Sequence, residues 1–327
     1  MFRRISLRGG PCRRARSGPW PMIVRVTART DTPARSLAQQ SVLFRNDPAD
    51  VLRTVVSMAW SAYLARQAGS IGESSIVLGD GAGTFDDSTI AELEAAATRH
   101  GGGFRFDRFG ENLGHGGGHN RLASASTADL IAFVNPDGLM DPAAVRELAD
   151  VFADGAVALA DGRQLPIEHP KAYDAVTGET DWASGAMMMI RRDAFVRVGG
   201  FDSESFFLYA DDVDLSWRIR LAGGHVRHAP AARLFHDKRL TATADYVPTD
   251  ADSFYSAEAS LILAHKYSRP DVISTELARF RARDNRVELD ACRSFLERRD
   301  AGRLPAPIDA DHAVGRFAEG LYTEHRY

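Results

Sequence analysis

The sequence is short of cysteine, of lysine and of long apolar runs, and each shortage excludes a class of protein. Two cysteines, Cys12 and Cys292, cannot build a disulfide framework or a cysteine-ligated metal centre, and they fit a reducing cytoplasm. Lysine occurs only at Lys171, Lys238 and Lys266, so nearly all of the 40 basic residues are arginine. Against 44 acidic residues they leave a net charge of −4, which argues against bulk nucleic-acid binding. No apolar run reaches the length of a membrane span. There is no internal repeat, no Walker A phosphate loop and no GxGxxG fingerprint. A calcium loop counted from Asp212 fails as well, because its sixth and twelfth places hold Trp217 and Gly223 where glycine and glutamate are needed.

What is present is a globular α/β pattern. The 327 residues allow one large α/β domain or two small ones, and the 44% hydrophobic content is ample for a core. Strand-like apolar runs near 41–45, 75–79, 130–134, 156–160, 185–190 and 232–235 alternate with helical patterns near 50–68, 87–99, 141–153 and 212–222. That alternation predicts a mostly parallel sheet with helices on both faces. Beyond Asp237, residues 255–267 and 272–300 read as helices rich in arginine and glutamate. The first twenty residues carry six arginines and no acid, and they lack the apolar stretch of a secretory signal. A disordered basic arm, a transit-like peptide or a true start at Met22 would each account for them, and we favour the arm. His115 and His119 lie four apart, as a helical metal pair would, but the three glycines between them argue against a helix and a zinc ligand set is lacking. Met187, Met188 and Met189 read as core or pocket-floor residues.

The densest chemistry lies between Ala183 and Arg220. Asp211, Asp212 and Asp214 place three carboxylates within four residues, between Phe206-Phe207-Leu208-Tyr209 and Leu215-Ser216-Trp217. Such a cluster persists at the edge of a core only where solvent, cations or bound protons offset the mutual repulsion. Leu215, Trp217, Ile219 and Leu221 fit a short helix with Trp217 in the core, and an aspartate in its first turn would complement the helix dipole. Capping that helix is the plain alternative for Asp211 or Asp212. Upstream, Leu130-Ile131-Ala132-Phe133-Val134 is a continuous buried-strand run that delivers Asn135-Pro136-Asp137 to its carboxyl end, where α/β folds bind ligands. The same residues are turn formers, so a simple turn would also use them.

The segment GAMMMIRRDAFVRVGGFDSESFFLYADDVDLSWRIRLAGGHVRHAPAARLFH resembles the second half of family 2 glycosyltransferases of the GT-A fold, in particular the bacterial rhamnosyltransferase-like branch. About fifty consecutive residues follow the family order. A second block agrees with it: Asn112, Gly114, the glycine run to Gly118, Asn120, and then DLIAFVNPDGLMDP. The nucleotide end departs from the pattern, with Asn46 near an expected Tyr-Asn whose tyrosine is missing, and Asp80 in a glycine-rich loop after its strand.

The resemblance implies a GT-A, Rossmann-like sheet over residues 41–240, preceded by the basic extension 1–40 and followed by a helical extension 241–327. It implies an inverting, metal-dependent transfer of sugar from a dTDP-, UDP- or GDP-linked donor to a hydroxyl of a glycan or lipid-linked acceptor, in bacterial cell-envelope polysaccharide synthesis. Carried over residue by residue, Asp212 matches the family's base and Asp211 stands in for the glutamate before it. Asp137 and His236 hold the metal (Mn²⁺ or Mg²⁺) and the diphosphate; Asn46, Asp80, Asn112, Gly114, Asn120 and Asn135 line the donor side; Trp182, Ser184 and Gly185 line the acceptor or sugar pocket. The implied setting is cytoplasmic, with room for peripheral contact at the inner face of the membrane and for a homo-oligomer. A non-catalytic sugar-nucleotide-binding or scaffold protein on the same fold is the alternative. A nucleotidyltransferase fits less well, because no basic phosphate-binding loop can be placed near the start.

Overall fold

The computed structural model describes residues 34–168, 171–236, 241 and 247–318; the arginine-rich arm, Cys12, Met22 and Lys238 lie outside them. The elements in chain order are β1 (Leu37–Leu43), α1 (Pro48–Ala68), β2 (Ser74–Asp80), α2 (Asp87–Thr98), β3 (Gly103–Arg108), α3 (Gly114–Ser124), β4 (Leu130–Val134), β5 (Gly138–Met140), α4 (Ala144–Val151), β6 (Val157–Leu165), β7 (Met187–Arg191), α5 (Arg192–Arg197), α6 (Asp211–Leu221), β8 (His225–His236), α7 (Asp250–Lys266), α8 (Pro270–Arg283) and α9 (Arg286–Asp300). Among the described residues the strands form one curled sheet in the order β3-β2-β1-β4-β7-β6-β8-β5. Four pairings are parallel (β1 with β2, β1 with β4, β2 with β3, β6 with β8), and three are antiparallel (β4 with β7, β6 with β7, β5 with β8). The sheet is therefore mostly parallel, as the alternation of runs predicts, with its antiparallel pairings at β7 and β5.

This order positions the site. From β1 the chain steps outward through β2 to β3, then returns to the other side of β1 as β4, which makes the carboxyl ends of β1 and β4 a topological switch point. Side-chain alternation builds a core on each face of the sheet. Leu130, Ala132 and Val134 of β4 pack with α1, α2 and α4 through Val55, Met58, Leu93 and Leu148, whereas Ile131 and Phe133 pack with Phe195, Phe201, Leu215 and Ile219. Met187 and Met189 join the first core and Met188 the second, so all three are core residues. The C-terminal helices α7, α8 and α9 bury a third cluster against the back of α6, centred on Trp217, Tyr267 and Phe295. Trp217 is fully buried and stacks edge-on against Tyr267 at 4.6 Å, so truncating it to alanine costs about 3–5 kcal/mol. Among the described residues no helix is long and apolar enough to cross a membrane.

Helix α3 overturns the expectation that the glycines between His115 and His119 prevent a helix. Packing overrides their poor helix propensity. A Cβ at Gly116 would stand 2.8 Å from Cβ of Phe201, and one at Gly118 would stand 2.7 Å from the Val42 methyls, so the helix reaches its neighbours only because those positions lack side chains. Gly114, with φ of +70°, opens the helix in a conformation that other residues adopt only with strain.

Candidate active site

Three expected donor-side residues gather at the carboxyl edge of the parallel strands, each with an oxygen engaged by its own loop. Asp80, buried at the end of β2, accepts from Ala82 N at 3.0 Å and from Thr84 N at 2.9 Å, which closes the glycine-rich loop. Asn46 Oδ1 accepts from Phe44 N at 2.8 Å just past β1. Asn112 Oδ1 accepts from Gly114 N at 3.1 Å and shapes the entry to α3. Asn120 lies apart from them: its amide donates to Phe201 O at 2.8 Å and accepts from Phe201 N at 2.9 Å, tying α3 to the segment that follows α5.

On the other side of β1, β4 ends at Asn135, whose N–H donates to Ala186 O at 2.9 Å. Asp137 then precedes β5, and the antiparallel pairing of Gly138 with His236 brings the strand-terminal histidine beside it. His236 Nε2 lies 3.2 Å from Asp137 Oδ1, and its Nδ1 lies 3.2 Å from Gln164 Oε1. The carboxylate is half exposed while the imidazole is nearly buried. Such a pair can occupy neighbouring positions around a divalent ion whose remaining ligands are phosphate oxygens and water, the usual manner for Mg²⁺-type sites. Gln164 accepting at Nδ1 leaves the Nε2 lone pair directed toward that edge. The donor set therefore fits a metal shared with a bound diphosphate, while no group of three or more metal-ligating side chains exists among the described residues. That holds for His115 and His119 too, whose rings meet edge-on at 4.7 Å within a largely aromatic setting.

The three acids of α6 part company. Asp214 turns back toward the C-terminal helices, where Lys266 Nζ at 2.7 Å and Tyr267 Oη at 3.1 Å meet it together with Arg218 Nε of its own helix at 2.7 Å. Asp211 and Asp212 face the site, placed by Tyr209 and Ala210, two successive non-glycine residues in the left-handed region (φ of 68° and 56°) that turn the chain sharply into the helix. Asp211 Oδ1 accepts from Asp212 N at 3.1 Å, and its Oδ2 lies 2.6 Å from His115 Nδ1. Asp212 Oδ2 accepts from Gly185 N at 2.7 Å and its Oδ1 from Val213 N at 2.8 Å. Burial and the neighbouring Asp211 charge push the Asp212 carboxyl up to about 6, against the opposing pull of the Gly185 N–H, His115 and the Val213 N–H. Burial opposes charging of His115, but Asp211, by charge and hydrogen bond, together with Asp212 outweighs it and raises the imidazole above its ordinary value.

Of the expected pocket residues, Gly185 bonds to Asp212. Ser184 and Trp182 belong to a buried polar network: Ser184 N donates to Asp161 Oδ2 at 2.7 Å, Gln164 Nε2 donates to Ser184 Oγ at 2.7 Å, and Trp182 O accepts from Lys171 at 3.1 Å. Lys171 also pairs with Asp161, and His228 Nδ1 lies 2.9 Å from Asp161 Oδ1. Lys171 and His228 hold the Asp161 carboxyl below its usual range despite complete burial, which acts in the opposite direction. Sequence reasoning missed His115 as a partner of the acids and missed this network. The available signal was Asp161 itself, a carboxylate directly after the apolar run Val157–Ala160 and within the same strand, because a buried charge requires a partner. The 184–186 loop thus joins both halves of the site: Gly185 grips Asp212, and Ala186 grips Asn135 two residues before Asp137.

Residues 64–209 match the family model described as glycosyl transferase family 2. Rhamnosyltransferase WbbL of Escherichia coli (strain K12) is 38% identical over 76 residues, covering 23% of this chain and 25% of that protein. The N-acetylglucosaminyl-diphospho-decaprenol L-rhamnosyltransferase of Mycobacterium tuberculosis is 36% identical over 87 residues, 27% of each chain. The chain thus spans about a quarter of the length of these curated relatives. Among solved structures, GalNAc-T7 with UDP, GalNAc and Mn²⁺ superposes with a TM-score of 0.56 at 13% identity, over 75% of this chain and 51% of that one, and so shares the fold.

Proposed function

We propose, from the premise that this chain is a family 2 glycosyltransferase of the GT-A fold, that it transfers a sugar with inversion from a nucleoside-diphosphate donor to a hydroxyl of a glycan or lipid-linked acceptor. The observation that carries the reading is the Asp211–Asp212 pair, tied through the 184–186 loop to the edge formed by Asn135, Asp137 and His236. The rhamnosyltransferase relatives favour a deoxysugar donor and a lipid-linked acceptor, and synthesis of envelope polysaccharide belongs to the same proposal.

In this reading the nucleotide occupies the crevice at the carboxyl ends of β1, β2 and β4, with Asn46, Asp80 and Asn112 shaping its walls. Asp137 and His236 would hold a divalent ion, Mn²⁺ or Mg²⁺, whose positive charge would offset that of the leaving diphosphate. Asp212 accepts the proton of the acceptor hydroxyl as that oxygen bonds to the anomeric carbon and the bond from carbon to diphosphate breaks. A carboxyl pushed up to about 6 is well matched to this role near neutral pH, since it remains ionised yet is a stronger base than an exposed aspartate. Gly185 fixes the orientation of Asp212 through Oδ2. The helices after β8 back α6 and would bound the acceptor side, and contact with anionic lipid through their arginines belongs to the same proposal.

The test is a thermal-shift and hydrolysis screen of dTDP-rhamnose, UDP-glucose, UDP-N-acetylglucosamine and GDP-mannose, with and without Mn²⁺ or Mg²⁺. Binding to the native state raises the melting temperature by linkage. A metal-dependent shift with one nucleotide and slow release of its diphosphate support the transferase; a shift without release supports a sugar-nucleotide-binding protein that has kept only the fold.

A further inference from the structure

We propose that His115 is a positioning residue of the transfer site: its imidazole, held as a cation against Asp211, balances that carboxylate and leaves Asp212 as the acid that accepts the proton. The inference rests on the transferase reading above and adds to it a residue from α3, far in sequence from the acids.

The geometry begins with the glycines of α3. A Cβ on Gly116 would lie 3.3 Å from Asp211 Oδ2, so the backbone of α3 runs directly over that carboxylate, and His115 sits beside it with Nδ1 at 2.6 Å from the same oxygen. On the far side, a Cβ on Gly185 would be 3.4 Å from both His115 Cε1 and Asp212 Oδ2. The imidazole, the loop amide and the two carboxylates therefore crowd around one point. The Asp211 side chain is 4% exposed and that of His115 17%. A carboxylate so withdrawn from water needs a countercharge, as Asp214 has in Arg218 and Lys266. His115 occupies that place for Asp211.

The titratable groups that face His115 are Asp211 and Asp212 from α6 and His119 from its own helix. His119 is buried, and burial together with the His115 charge keeps it well below its ordinary value, so it stays neutral and does not repel the cation. The loop at Gly185 and the Phe201 ring complete the surroundings. Two adjacent carboxylates without a cation would share a proton up to a higher pH, and a smaller fraction of the base would be ionised near neutrality. With His115 charged, the pair carries one net negative charge, and Asp212 supplies it on the side where Gly185 orients it.

Two measurements on the full chain test this. The first needs no turnover: imidazole nitrogen shifts of ¹⁵N-histidine-labelled protein should show both His115 nitrogens protonated at pH 7, and Asp211→Asn should move its titration to lower pH. A neutral His115 at pH 7, or a titration indifferent to Asp211→Asn, overturns the proposal. The second is the pH profile of donor turnover. His115→Asn keeps a donor near Asp211 but removes the charge, so the acid limb of kcat/KM should move up by about one pH unit, an approximately tenfold loss on the acid side that recovers in alkali. In an Asp211→Asn background the same change should leave the limb in place. An unmoved limb in a variant that melts like the wild type contradicts the role. Should His115→Asn fail to fold, the nitrogen shifts with Asp211→Asn decide alone. Absence of turnover with dTDP-, UDP- and GDP-sugars overturns the transferase reading and the role with it, whereas the nitrogen shifts separate that failure from failure of the His115–Asp211 pair.

Discussion

The backbone N–H of Gly185 donates a 2.7 Å hydrogen bond to Oδ2 of Asp212. Asparagine at 212 can still accept that bond through its carbonyl, so Asp212→Asn removes the base while leaving its anchor. Transfer should fall by about 10²–10⁴-fold, the usual contribution of a positioned general base, with donor affinity close to that of the wild type. Steady-state rates together with calorimetric titration of the donor check both halves.

The pH dependence follows from the same carboxyl. Asp212 must be ionised to accept a proton, and burial and Asp211 push it up to about 6, so kcat/KM should rise with pH through an acid limb centred near 6. An exposed aspartate would place that limb about two units lower. A profile measured from pH 4.5 to 9 distinguishes the two positions.

Asp137 and His236 are proposed to share the metal, so Asp137→Ala should weaken Mn²⁺-dependent donor binding by about tenfold or more without lowering the melting temperature of the metal-free protein. Half exposure of the Asp137 side chain supports the second part, since little packing is lost. Isothermal titration with and without Mn²⁺ checks the first part, and unchanged affinity removes Asp137 from the metal site.

Gly114 and Gly199 form a matched pair for backbone strain. Both have positive φ, but a Cβ at Gly114 would stand 2.4 Å from Phe207 O, whereas one at Gly199 meets nothing within 4 Å. Gly199→Ala should cost about 1 kcal/mol from conformation alone. Gly114→Ala adds the clash, about 2–4 kcal/mol in total, and by displacing α3 should also draw His115 from Asp211. Denaturant melts of the two variants check the ordering.

Much of the fold was legible because burial writes itself into composition. The run Leu130–Val134 coincides with β4 since both faces of that strand are covered, leaving no polar position to blur it. Strand β3, reading GFRFDR, escaped notice as a half-buried edge strand, and β5 is only three residues long. Strand β8 extends back to His225, well before the expected 232–235, because its first half, His225–Pro230, carries two histidines, an arginine and a proline in place of an apolar run. Helix α3 ran against propensity, since its glycines answer to Phe201 and Val42, which are remote in sequence. At the site, Asp211, Asp212, Asp137 and His236 stood out by motif. The His115 contact spans 96 residues and the Asp161–His228 contact 67, distances over which local pattern carries no information.

The central claim is that this site moves a sugar from a nucleotide with Asp212 as the base. The most direct measurement is release of nucleoside diphosphate from dTDP-, UDP- and GDP-sugars in Mn²⁺, comparing the wild type with Asp212→Asn at matched concentration and pH 7.5. The account predicts release with one nucleotide class, dependent on metal and at least about a hundredfold faster in the wild type. Release equal in the two proteins, or absent from both, would contradict it.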